Sequence, residues 1–124
     1  MINEVLLYIG SALTVIWGIT HLFPTKSVVA GFGDIESDNK RIITMEWIGE
    51  GETLIFIGVL VAGVTLIDFE SAAAKVVYAI SALALIVMAM VSIFTGFRIN
   101  FLPFRLCPLI FGLSAGLFLV GAFI

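Results

Sequence analysis

The sequence predicts an all-α, four-transmembrane-helix bundle, and three observations carry that prediction. Hydrophobic residues fill 61% of the 124 positions and charged residues 12%, against roughly 45–50% and about 25% in soluble domains. The apolar residues gather into four stretches, 5–23, 45–67, 72–97 and 106–124. Each is close to the ~20 residues that carry a helix across a hydrocarbon core. A spanning backbone must satisfy its own hydrogen bonds, so residues 1–124 are expected to form a single helical domain, with no room for a soluble one.

The first span carries Gly10, Thr14 and Gly18 at intervals of four, a stripe of small residues that lets another helix come close. Ser11, Thr14, Trp17 and His21 descend one face beside it, and Pro24 then breaks the helix. Neither a basic flank nor a small-residue cleavage site accompanies this span, so it is expected to be retained. The connection that follows is predicted to hold a short interfacial turn over Thr25–Ala30 and a bend at Gly31-Phe32-Gly33-Asp34. Asp34, Glu36 and Asp38 alternate like the opening of a calcium loop, but Asn39 stands where that loop requires glycine.

The second helix is predicted to start at Ser37 or Asp38, both good N-caps. It should run for about 30 residues, or roughly 45 Å at 1.5 Å per residue. Glu46 then reaches the hydrocarbon boundary, with Glu50 a turn deeper, and Gly58 and Ala62 form a second small-residue stripe. The third span presents a mildly polar face with Tyr78, Ser81, Ser92 and Thr95, and residues 96–105 form an aromatic and basic loop. The fourth span holds Gly112 and Gly116 in the GxxxG spacing, expected either to pack the bundle or to join two copies as a homodimer.

Charge fixes an orientation. Lys26, Lys40, Arg41, Arg98 and Arg105 fall in the connections after the first and third spans, and only Lys75 lies on the other side. The positive-inside rule places those connections in the cytoplasm, with the N- and C-termini outside and the chain in the cell membrane. A net charge of −3 and a pI near 4.9 argue against nucleic acid as a partner, which would need a basic face. One cysteine, Cys107, excludes an internal disulfide and any CxxC redox pair.

The same asymmetry gathers the chemistry at the cytoplasmic end. Glu46 and Glu50 share one helix face, and His21 lies at a similar depth on the preceding span, which should be a spatial neighbour. A His21–Glu50 contact is therefore expected, flanked by Trp17 and Trp47, with Arg98 and Arg105 as counter-ions. Glu50 and Glu52 fall within an apolar stretch, where an ionised side chain costs about 3 kcal/mol on insertion scales. They should face the bundle interior or find a partner. Read as plain structure, these groups are interfacial anchors and acids near a helix N-terminus, favoured by its dipole.

Read as function, Trp17, His21, Glu46, Trp47, Glu50, Arg98 and Arg105 line a cytoplasm-facing pocket that binds a lipophilic ligand or a partner subunit. Two alternatives stand beside it. One is a membrane-embedded enzyme using His21 and Glu50 as a catalytic acid–base pair on a lipid-like or quinone-like substrate. The other is an oligomeric, proton-coupled small transporter. With no second histidine, cofactor motif or Glu-xx-His pattern, no cofactor is named and no metal ligand is assigned.

Gly18-Ile19-Thr20-His21-Leu22-Phe23-Pro24, closing the first of four helices, resembles the DoxX-like family of small membrane proteins. There a first helix often ends in a Gly, a His or Lys, aromatic residues and Pro. The resemblance covers the end of that helix and the helix count. It implies the four-helix fold and a functional bearing for His21. Members are linked to quinone-associated redox complexes, which would add a quinone or similar lipophile to membrane lipids as partners. The Met45-Glu46-Trp47-Ile48-Gly49-Glu50-Gly51-Glu52 segment carries no motif of that family.

Overall fold

The computed structural model describes all 124 residues, Met1–Ile124. It is 86% helical and contains no strands. The elements are α1 (Ile2–Leu22), a short α2 (Thr25–Ala30), α3 (Ser37–Asp68), α4 (Ala72–Phe94), a 3₁₀ turn over Gly96–Arg98, and α5 (Leu102–Phe123). Four of these, α1, α3, α4 and α5, are long and apolar enough to cross a membrane. The chain is a multi-pass membrane protein, and its large exposed apolar side chains, such as Ile9, Phe56, Leu83 and Leu113, face lipid.

Two element boundaries differ from the sequence expectation for identifiable reasons. The fourth span starts at Leu102 because Pro103 occupies one of its first helical positions, where a missing amide hydrogen costs nothing. Phe104 and Arg105 are thereby moved out of the loop and onto the first turn of α5. At the start of α3 the capping position is Glu36, not Ser37 or Asp38, and no side chain caps it. The short α2 and the bend after it form as expected, with Gly33 at φ 73°, a left-handed conformation that glycine adopts without a Cβ penalty.

Around the bundle the helices run α3, α1, α5, α4, and α3 meets α4 only sparsely although the two are consecutive. The close seams are built on glycine. A Cβ at Gly18 would lie 2.8 Å from the Gly51 carbonyl oxygen, and one at Gly58 would lie 2.7 Å from that of Ser11. These two contacts fix α1 against α3 at backbone distance, where packing holds helices together in place of a hydrophobic drive. Gly10 seats Phe118 of α5, and Gly121 seats Leu7 of α1. The GxxxG pair plays no such part: nothing lies within 4 Å of a Cβ at Gly112 or Gly116. Sequence spacing marks a stripe but not its direction, and α5 turns Phe111, Ser114, Ala115 and Phe118 inward instead.

The ends of the bundle are unlike each other. Near the α3–α4 connection, the Tyr78 hydroxyl and Thr65 Oγ1 are 2.9 Å apart across the two helices. Thr65 donates its own proton to the Val61 carbonyl, so Tyr78 is the donor. Tyr78→Phe should lower stability by about 0.6 to 1.7 kcal/mol, the range of interhelical hydrogen bonds in membranes, read as a lower midpoint in detergent thermal denaturation. At the opposite, polar end, where α1 and α4 finish and α3 and α5 begin, the α3–α4 side stays open. The largest fully buried side chains reach no farther toward it than Leu54, Leu85 and Phe111. Beyond them the interior is held by His21, Gly51, Ala89 and Cys107, which leaves space.

Candidate functional site

That space is organised by His21 and Trp47. α1 places His21 one turn below Gly18, and the Gly18–Gly51 approach draws the α3 backbone toward it. The Trp47 indole N–H donates to the His21 carbonyl at 2.9 Å. His21 Nε2 lies 3.1 Å from the Trp47 carbonyl; that oxygen can only accept, so Nε2 carries the ring proton. The two rings stack with centroids 3.9 Å apart and planes 17° off parallel. Phe104 then meets Trp47 edge-on at 5.7 Å, an arrangement aromatic quadrupoles favour.

Glu50, one turn beyond Trp47, brings Oε2 to 3.6 Å from His21 Nε2. That separation is an electrostatic contact, too long for a hydrogen bond. The predicted histidine–carboxylate contact is therefore present, with the imidazole side chain 6% exposed and the carboxylate 38% exposed. No hydrogen bond reaches Nδ1. Ser114 Oγ is the only sealed side-chain nitrogen or oxygen atom without a partner, so Nδ1 opens onto free space.

Three of the cavities around Phe104 reach His21, Trp47 or Glu50. One, of about 340 Å³, is almost wholly apolar and is walled by Trp17, His21, Trp47, Phe101, Phe104 and Cys107 among others. A second, of about 380 Å³, lies between α3 and α4 and includes His21, Glu50, Ser92 and Thr95. The third is a wider groove of about 680 Å³ that reaches Glu46, Trp47 and Glu50. These volumes fall in the usual range for small-molecule sites, roughly 300–1,000 Å³. His21 stands in the wall between the first two.

The residues expected from sequence divide as follows. Trp17, His21, Trp47 and Glu50 come together, and Glu46 joins at the exposed rim of the wider groove. Arg98 and Arg105 do not. Both are exposed and neither pairs with a glutamate; Arg105 turns instead to the Ile99 carbonyl at 3.4 Å and Asn100 Oδ1 at 3.5 Å. The counter-ion role assigned to them is corrected accordingly: each sits on the outer side of its turn, which residue depth alone does not reveal. Glu52 also departs from expectation and faces outward, exposed.

Phe104 is the wall residue that the sequence reading missed, and Pro103 was the available signal, since proline in the first helical turn would have started α5 early enough to include it. No protein-family model, curated protein or solved structure matches this chain.

Proposed function

We propose that this protein binds a lipophilic ligand at the polar end of the bundle, in the aromatic cavity and the groove beside it. The observation that carries the proposal is His21. An imidazole with a side chain 6% exposed and one unpartnered nitrogen stands between an apolar chamber and a carboxylate-lined one. A polar atom that faces a cavity without a protein partner takes its hydrogen bond from whatever fills that cavity, and a bound head group would supply that partner. The apolar chamber accepts the remainder of the ligand.

The proposal extends to placement and partners. Five of six Lys and Arg residues lie at the polar end, and by the positive-inside rule this supports a cytoplasmic polar end with both termini outside the cell membrane. The open Gly112 and Gly116 face suits a second copy of the chain or another subunit. Kinship with the DoxX-like proteins belongs to the same proposal, since the segment that resembles them, Gly18 to Pro24, is the one that carries His21. A second reading, acid–base catalysis on a quinone-like or other lipid-like substrate, is favoured by the 3.6 Å His21–Glu50 approach.

One comparison separates the two. Wild type and Glu50→Gln, purified from the same membranes, are extracted and their lipophiles identified by mass spectrometry. A compound retained unchanged by wild type and depleted in Glu50→Gln is the expected result. Accumulation of a distinct precursor in the mutant alone would favour catalysis, and identical bulk lipid in both would end the proposal.

A further inference from the structure

Building on the proposed lipophile pocket, we infer that its head-group compartment is made for a protonated amine, so that the ligand is a lipophilic cation bearing N–H donors.

Charge is the first observation. Glu50 lines both polar cavities and Glu46 joins it in the wider groove, while no Lys or Arg side chain lines any of the three cavities. With Arg98 and Arg105 turned away, the carboxylates have no Lys or Arg partner, and Glu50 has only the His21 ring at 3.6 Å. The His21 ring directs its Nε2–H to the Trp47 carbonyl and sits 3.6 Å from Glu50, too far to give that carboxylate a hydrogen bond.

Hydrogen-bond polarity is the second and independent observation. The donors around the cavities are turned inward to the backbone. Thr53 Oγ1 donates to the Gly49 carbonyl at 2.7 Å, Thr95 Oγ1 to Val91 at 2.6 Å, and Cys107 Sγ to Pro103 at 3.3 Å. The Trp47 indole N–H is committed to the His21 carbonyl. What remains facing the two polar cavities is mainly acceptors: the Glu46 and Glu50 carboxylates, the Thr53 and Thr95 oxygens, and the His21 ring, while the one free indole N–H, that of Trp17, lies in the apolar cavity. Only Ser92 keeps an uncommitted hydroxyl. Such a compartment disfavours a carboxylate or phosphate and leaves a bare alcohol with one donor for several acceptors. An alkylammonium brings three donors and a full positive charge, and its charge-assisted bonds are the stronger kind. The Trp47 and Phe104 rings add faces that attract a cation.

Both tryptophans of the chain, Trp17 and Trp47, line the apolar cavity, so their emission reports its occupancy. The protein in phosphatidylcholine nanodiscs is titrated with ω-bromododecyl probes, whose bromine quenches indole on contact. Four heads are compared: primary ammonium, trimethylammonium, hydroxyl and carboxylate. The primary ammonium should bind about tenfold or more tightly than each of the others, the ratio expected when a charge-assisted bond is worth at least 1.4 kcal/mol. Glu50→Gln should erase most of that preference. Glu52→Gln, which removes the same charge from an outward-facing site, should leave it intact, as should the fold in both variants by circular dichroism.

Equal affinity for ammonium and hydroxyl heads, or for ammonium and trimethylammonium, overturns the amine assignment and leaves the lipophile pocket standing. Absence of saturable quenching by every probe overturns both. Phosphatidylethanolamine supplies the same ammonium chemistry as a membrane lipid. If including it in the nanodiscs raises the apparent Kd of the amine probe, the ligand is drawn from the bilayer. If the Kd is unchanged, the ligand is a free lipophilic amine.

Discussion

Gly18→Val should separate α1 from α3 and yield a protein that unfolds or aggregates on extraction. A Cβ at this position meets the Gly51 carbonyl oxygen and Ile55 Cγ1, both at 2.8 Å, and the Ile55 amide nitrogen at 3.0 Å. Two of those three atoms belong to the facing backbone, which cannot rotate aside. Overpacking of a closed contact costs about 1–3 kcal/mol, and valine adds two methyl groups beyond the Cβ. The seam also sets the distance at which Trp47 and His21 exchange hydrogen bonds, so the damage reaches the site. Size-exclusion profiles and thermal aggregation in detergent provide the measurement. Gly112→Val is the matching control, since nothing lies within 4 Å of its Cβ, and it should behave as wild type when the chain is monomeric.

His21→Phe should keep the fold and lose the ligand. Phenylalanine preserves a flat ring in the 3.9 Å stack on Trp47, and the Trp47 indole bond survives because its acceptor is the backbone carbonyl of residue 21. The loss in stability is then the single Nε2–H bond to the Trp47 carbonyl, about 1 kcal/mol. Gone entirely is the Nδ1 acceptor in the cavity wall. His21→Ala, in contrast, also gives up the stack, worth about 0.5–1.5 kcal/mol beyond the area it buries, and merges the two cavities. The expected pattern is a small fall in melting midpoint for Phe, a larger one for Ala, and ligand loss in both. If His21→Phe held the co-purifying lipophile as firmly as wild type, the imidazole would be a packing residue only.

The contrast between what the sequence disclosed and what it hid follows from the kinds of signal involved. Hydropathy located all four spans because each is a long apolar run bounded by charges, glycine or proline. Depth was equally legible: His21 at the end of one helix and Glu50 near the start of the next had to share a level, and they meet. Direction around a helix axis was not. Gly112 and Gly116 have the spacing of a packing motif but face outward, whereas the inward stripe of α5 includes bulky Phe111 and Phe118, the latter seated on Gly10. Arg98 and Arg105 sat at the right level and on the wrong side. The open α3–α4 flank was hidden for a related reason. Consecutive helices are usually neighbours, but the Thr65–Tyr78 bond pins these two near their connection while no comparable contact joins them near Glu50.

The most direct measurement of the central claim is photolabelling in membranes with a diazirine-bearing dodecyl probe, prepared with an ammonium and with a hydroxyl head, followed by mapping of the adducts. The account predicts adducts concentrated on Trp17, Trp47, Phe104 and Cys107, reduced in His21→Phe. Adducts spread over the outer belt at Ile9, Phe56, Leu83 and Leu113, unchanged in that variant, would contradict it.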